Sequence, residues 1–152
     1  MTTRARILHH RRAQRQAGRE VDALRRMLGE PPLVPVLAER SLRLQTCLYS
    51  RSKWFRERGQ LRVSRHDTAD GAVREFLALA SRLECALVEL YSGSGGSGFF
   101  AGSLSHAFLS ACLSSGFEGF SAVSEDLSSG VTLDHAQNDP VYGDFHEVES
   151  WP

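Results

Sequence analysis

An α/β domain built on a doubly wound, mostly parallel sheet is what this sequence predicts, and three observations predict it. Cys85-Ala86-Leu87-Val88-Glu89-Leu90 is a short apolar run of the kind found in strands buried on both faces. It passes directly into a glycine- and serine-rich tract over residues 91–98. Beyond the tract, Leu104, Ala107, Phe108, Ala111, Cys112 and Leu113 recur at helical spacing, Gly116 supplies a stop, and Phe120-Ser121-Ala122-Val123 forms a second apolar run. Strand, glycine loop, helix and strand make one Rossmann-like βαβ unit, whose crossover is expected to be right-handed.

The preceding elements follow in chain order. Residues 3–28 contain no proline and a single glycine, Gly18. Ile7, Leu8, Val21, Leu24, Met27 and Leu28 fall loosely at helical spacing among many arginines, which predicts one long helix. Its first acid is Glu20, so residues 1–30 read as a basic helical arm suited to DNA phosphates, with organelle targeting as another use of such a segment. Three prolines interrupt residues 29–35 and predict a linker. Residues 36–152 then form a single α/β domain. Within it, Leu37, Leu42, Leu44, Leu48 and Tyr49 fit a helix or alternating strands, and Gly59 marks a turn before Leu61-Arg62-Val63, so a helix followed by a short strand is expected. Asp67-Thr68-Ala69-Asp70 is an N-cap region for a helix running to about Arg82, buried through Val73, Phe76, Leu77 and Leu79-Ala80.

Composition narrows the function classes. The 152 residues suffice for one globular domain with a real core. No apolar run approaches the roughly 20 residues that span a bilayer, and no apolar segment opens the chain as a signal peptide would. A soluble protein of the cytoplasm or nucleus is expected. Cys47, Cys85 and Cys112 are odd in number and contain no C-x-x-C pair, which argues against a disulfide framework and a structural zinc site. The histidines share no metal-ligand spacing, and no metal is expected. The zero net charge conceals a segregation: all 18 Lys and Arg lie before Leu83 with 8 acids, a net of +10, and the remaining 10 acids follow without a Lys or Arg. Such a dipole suits a small interaction protein, for example a toxin-neutralising or anti-defence inhibitor, whose charged face docks on an opposite partner.

The glycine tract carries the chemistry. A strand that ends in glycines lets backbone approach a bulky ligand, and an acid at the tip of the next strand reaches ribose hydroxyls. Gly93, Gly95 and Gly98 satisfy G-x-G-x-x-G, which keeps NAD open, whereas no Lys follows as a P-loop requires. Glu89-Leu90-Tyr91-Ser92-Gly93-Ser94-Gly95-Gly96 resembles the first motif of cytosine-5 DNA methyltransferases. Downstream, Gly116-Phe117-Glu118, Ala122 to Asp126, Asn138-Asp139-Pro140 and Gly143-Asp144-Phe145 are similar, in the same order, to that family's later motifs. The resemblance covers roughly the last 70 residues. It implies S-adenosylmethionine as cofactor. Glu89, Tyr91, Gly93, Gly95 and Gly96 would surround the methionine part, Glu125, with Asp126 as fallback, would hold the ribose, and Asp144 the adenine. The family's P-C-Q nucleophile motif is expected soon after Glu147; no cysteine here has Pro before it or Gln after it, so this chain supplies no catalytic residue. The implied protein is the cofactor-binding part of a methyltransferase-like enzyme, completed by a second chain or a further segment.

Overall fold

The computed structural model describes residues 2–152 apart from Ser94 and Tyr142, with Gln137 and Asn138 described by backbone alone. Among the described residues the elements run α1 (Thr3–Met27), β1 (Val34–Pro35), α2 (Ala38–Glu57), β2 (Arg62–His66), α3 (Ala69–Arg82), β3 (Leu87–Ser92), β4 (Gly95–Ala101), α4 (His106–Ser114), β5 (Gly119–Val123), β6 (Gly130–Asp139) and β7 (Gly143–Trp151). Each of three helices starts where a hydroxyl can accept from a free amide: Thr2 from Ala5 N, Thr68 from Gly71 N and Ser105 from Phe108 N. Among the described residues, no helix is long and apolar enough to cross a membrane.

The strands form one sheet in the order β1-β4-β3-β5-β6-β7-β2, and every neighbouring pair is antiparallel. This corrects the expected mostly parallel, Rossmann-like sheet. The glycine tract does not lead into a helix; it folds back as a hairpin, and Gly95–Ala101 pairs with β3 from Ser92↔Gly95 to Leu87↔Ala101. Because β4 intervenes before α4, the chain arrives at the other side of β3 running the opposite way, and β5 pairs with it as Leu87↔Val123 through Tyr91↔Gly119. One additional strand therefore turns the predicted βαβ crossover into an antiparallel arrangement.

The sheet buries both faces unequally. Val88, Leu90, Phe120, Ala122, Leu133 and Val148 pack beneath α3 and α4, with Phe76 and Phe108 fully buried at the centre. The opposite face is apolar at one end, where Leu87, Phe99, Val123 and Trp151 meet Leu44, Leu48 and Phe55 of α2. The basic helix expected as an arm over residues 1–30 is packed against β4. Its His10 Nε2 lies 2.6 Å from Ser41 Oγ, and Gln14 Nε2 donates to the carbonyls of Val36 (2.8 Å) and Phe99 (3.2 Å). Arg25, 2 % exposed, closes the proline-rich turn: it donates to the Pro31 carbonyl at 2.7 Å, pairs with Glu30 at 3.1 Å and lies over the Phe108 ring.

The glycines of β4 serve this packing. Gly98 has φ 81°, a conformation that favours glycine, and an added Cβ there would lie 2.4 Å from Gln14 Cγ. At Gly96 the same atom would lie 2.8 Å from the Glu89 carboxylate. The close approach that the glycine tract announces is real, but the bodies that approach are α1 and a neighbouring strand of the same chain.

Candidate functional site

Past its apolar end, the α2-facing side of the sheet turns polar. Period-two alternation brings Glu89 and Tyr91 of β3, Ser121 of β5, Thr132 and Asp134 of β6, and Glu147 and Glu149 of β7 to that side. Facing them, α2 presents Gln45, Leu48, Tyr49, Ser52 and Arg56, which recur at helical spacing. Between helix and sheet lies an open groove of ≈ 450 Å³, floored by Glu89, Tyr91, Ser121, Thr132, Asp134 and Glu149.

The hydrogen bonds hold the floor in place. Glu89, 2 % exposed, accepts from the Gly98 amide at 2.9 Å and from the Gln45 side-chain amide, so β4 and α2 both orient it. Tyr91 Oη and Ser121 Oγ are 2.5 Å apart. Arg56 donates to both oxygens of Glu149, at 3.1 and 3.3 Å. Beside the groove, Arg65 reaches Glu147 at 3.4 Å.

Carboxyls outnumber cations here, and the titrations register it. Burial holds Glu89 above the ordinary carboxylate range, against the opposing effect of its donors. Burial, then the Glu89 charge, pushes the Tyr91 phenol up. Asp134, although solvent reaches it in the open groove, is raised by desolvation and by Glu149. Glu147 is raised by burial and then by Glu149. Each of these groups resists ionising beside the others.

The structure divides the residues that the sequence singled out. Glu89, Tyr91 and Gly96 line the groove. Gly95 instead lines a separate cleft of ≈ 90 Å³ against Ala13, Gln16, Ala17 and Glu20 of α1. Gly93 lies at the β3–β4 hairpin turn, where an added Cβ would come no closer than 3.9 Å, to Glu118. Glu125 follows β5 at the end where Val123 pairs with Leu87, the opposite end from Tyr91, and its carboxylate is 3.9 Å from Arg40. Asp126, the neighbouring acid, closes the β5–β6 turn: it accepts from Ser124 Oγ and from the Ser128 amide and hydroxyl, bonds that hold its carboxyl down at about 2. Asp144 opens β7 at the β6–β7 hairpin, three strands from the glycine tract in the sheet order. Glu89 to Gly96, Glu125 and Asp144 are thus not gathered around one ligand. Nor does α4 open at the glycine tract, because it begins beyond the far end of β4. Ser94 and the side chain of Asn138, both within the resembling motifs, lie outside the described residues.

Burial pushes the Cys85 thiol up to about 11 and the Cys112 thiol up to about 12, which suppresses their thiolates. Among the described residues, no group of three or more His, Cys, Asp and Glu side chains could hold a metal ion. Among the described residues, three arginine–carboxylate pairs, Arg40–Glu125, Arg56–Glu149 and Arg65–Glu147, join the basic half of the chain to the acidic half.

Sequence reasoning missed Ser121, Thr132, Asp134, Glu149 and the whole α2 wall. A signal was present. Val131-Thr132-Leu133-Asp134 alternates apolar and polar, the pattern of an antiparallel strand with one solvated face, whereas Phe145, Val148 and Trp151 fall every third position and hide the period of the next strand. The chain matches no protein-family model, no curated protein and no solved structure.

Proposed function

We propose that the protein is a binding domain whose sheet groove receives a small organic cation bearing ammonium, guanidinium or sulfonium charge. The observation that carries this reading is the convergence of Glu89, Asp134 and Glu149 from three strands on one groove, with Glu147 beside it, against Arg56 as the cation among the described lining residues. A ligand cation there neutralises carboxyls that otherwise raise one another's pKa, and it does so in a partly desolvated space where each charge pair is stronger than in water. Tyr49 and Tyr91 also line the groove, and aromatic rings attract such a charge. The groove volume of ≈ 450 Å³ falls within the range of about 300–1,000 Å³ usual for small-molecule sites. S-adenosylmethionine, which carries both an ammonium and a sulfonium, belongs to this ligand class.

Titration calorimetry with spermidine, agmatine and S-adenosylmethionine tests the reading. Because Asp134 and Glu147 ionise at higher pH than ordinary carboxyls, binding should tighten from pH 5 to pH 7.5 and release protons at the lower pH. Asp134→Asn and Glu149→Gln should each weaken binding about tenfold, equivalent to about 1.4 kcal/mol. Absence of both heat and thermal stabilisation with all three ligands at millimolar concentration would defeat the proposal.

A further inference from the structure

We infer that a second groove, between α1 and the turn containing β1, docks an acidic amphipathic helix of a partner protein. This surface is separate from the acid-lined groove and stands independently of the ligand proposed there. Its volume is ≈ 540 Å³. One wall is α1, where Arg11, Arg15 and Arg19 recur every fourth residue and are all exposed. They make no ion pair among the described residues, in contrast to Arg40, Arg56 and Arg65, which pair with the acidic half. The other wall is aliphatic. It is built from Leu33, Pro35, Val36, Leu37 and Ala38, of which Leu37, the residue before α2, is 81 % exposed.

Gly18 lies in this groove between Arg15 and Arg19. A glycine within a helix destabilises it relative to alanine, because its backbone loses more conformational freedom on folding. Nothing inside the protein requires it, since an added Cβ would make an ordinary 3.8 Å contact with the Phe100 ring and its φ is not among the positive values. Its missing side chain leaves room for about one methyl group beside the Phe100 ring, on the groove side where a partner's apolar side chain would approach.

The identity of the occupant follows from this combination. Arginines at positions i, i+4 and i+8 span about 12 Å along α1, so they match a ligand with repeated negative charge rather than one carboxylate. Nucleic acid would supply repeated phosphates, but a single strand stacks its bases on exposed rings, and a duplex meets protein with a polar phosphate backbone that leaves an aliphatic wall unmatched. Phe100, the ring in this lining among the described residues, is 2 % exposed, and the accessible wall is aliphatic. Strand addition is disfavoured because β1 has two residues and one is Pro35, which has no amide to donate. A helix with acids on one stripe and leucines on the next satisfies both walls, as in other helix-in-groove complexes. Asp22 ends the groove with the opposite charge and sets direction, favouring a basic residue at that end of the partner helix.

The test uses the full chain and a fluorescent three-turn peptide. The peptide carries glutamates every fourth position, leucines on the adjacent stripe and one terminal lysine. A scrambled peptide of the same composition, oligothymidylate and oleate serve as competitors. The patterned peptide should bind at least about tenfold more tightly than the scrambled one, and Arg15→Glu and Leu37→Asp should each weaken it about tenfold, while both variants melt as the parent does. Gly18→Ala should raise the melting temperature yet weaken the peptide several-fold, whereas a glycine needed for internal packing would lower the melting temperature. Equal binding of the scrambled peptide, or displacement of the patterned peptide by oligothymidylate or oleate at lower concentration, would overturn the inference.

Discussion

Trp151→Ala is expected to lower the unfolding free energy by about 3–5 kcal/mol, the usual cost of emptying a large aromatic site in a core. Trp151 is 1 % exposed and its ring covers Gly130, where an added Cβ would lie 2.0 Å from Cζ2. The ring stacks on Phe55 of α2 at a centroid distance of 6.5 Å, and so joins β7, β6 and α2 at the apolar end of the groove. Its indole Nε1 is buried and has no hydrogen-bond partner among the described residues. Trp151→Phe removes that orphaned donor, whose burial costs about 1–3 kcal/mol, while keeping most of the ring. It should therefore be much milder than alanine. Urea unfolding followed by circular dichroism measures both variants; an alanine variant within about 1 kcal/mol of the parent would show that Trp151 does not anchor this end of the sheet.

The second large effect is expected at Glu89, and its sign depends on the replacement. Glu89→Ala strands the buried Gly98 amide, leaves the half-buried Gln45 side chain without its acceptor and should cost about 2–4 kcal/mol near pH 4. Glu89→Gln retains one acceptor oxygen for the Gly98 and Gln45 donors, which share Oε2, and removes the ionisation together with the second oxygen of a carboxylate that also accepts from Tyr91. Burial raises the folded-state pKa of Glu89 above its ordinary value of 4.5, so the folded state holds the proton more tightly than the unfolded chain does. The corresponding stability is fully present below about pH 4.5 and is lost as pH rises through the folded value. Glu89→Gln should accordingly match the parent near pH 4 and exceed it at pH 7.5. Denaturation midpoints at these two pH values decide the matter: a glutamine variant weaker than the parent at pH 7.5 would mean that the Gly98 and Gln45 bonds outweigh burial.

Several elements were legible because their signals are local. Thr68 before an amphipathic run marks α3, and the proline-free residues 3–28 mark α1, since caps and 3.6-residue periodicity depend on neighbours along the chain. The apolar runs that became β3 and β5 were equally visible. The direction of β5 was not. It depends on whether residues 95–101 form a strand, and three glycines and a serine in the first four positions leave only Phe99 and Phe100 to signal one. They are a strand because β3 and β1 pair with them and α1 packs against them, which are contacts from distant parts of the chain.

The candidate site divides in the same way. Glu89, Tyr91 and Gly96 were marked by an apolar strand running into glycines, yet the same signal misled on Glu125 and Asp144, because it presupposed parallel strands with their tips gathered at one edge. By itself, the sequence determined the helices, the central strands, the segregation of charge and the need for close backbone approach near Gly98. Only the tertiary structure decided that α1 and Glu89 make that approach, and that alternating acids on β3, β6 and β7 face one groove. The physical reason is that helix caps and periodicity are settled by energies between near neighbours, whereas strand direction and register are settled by pairing partners that the chain meets only once it has folded.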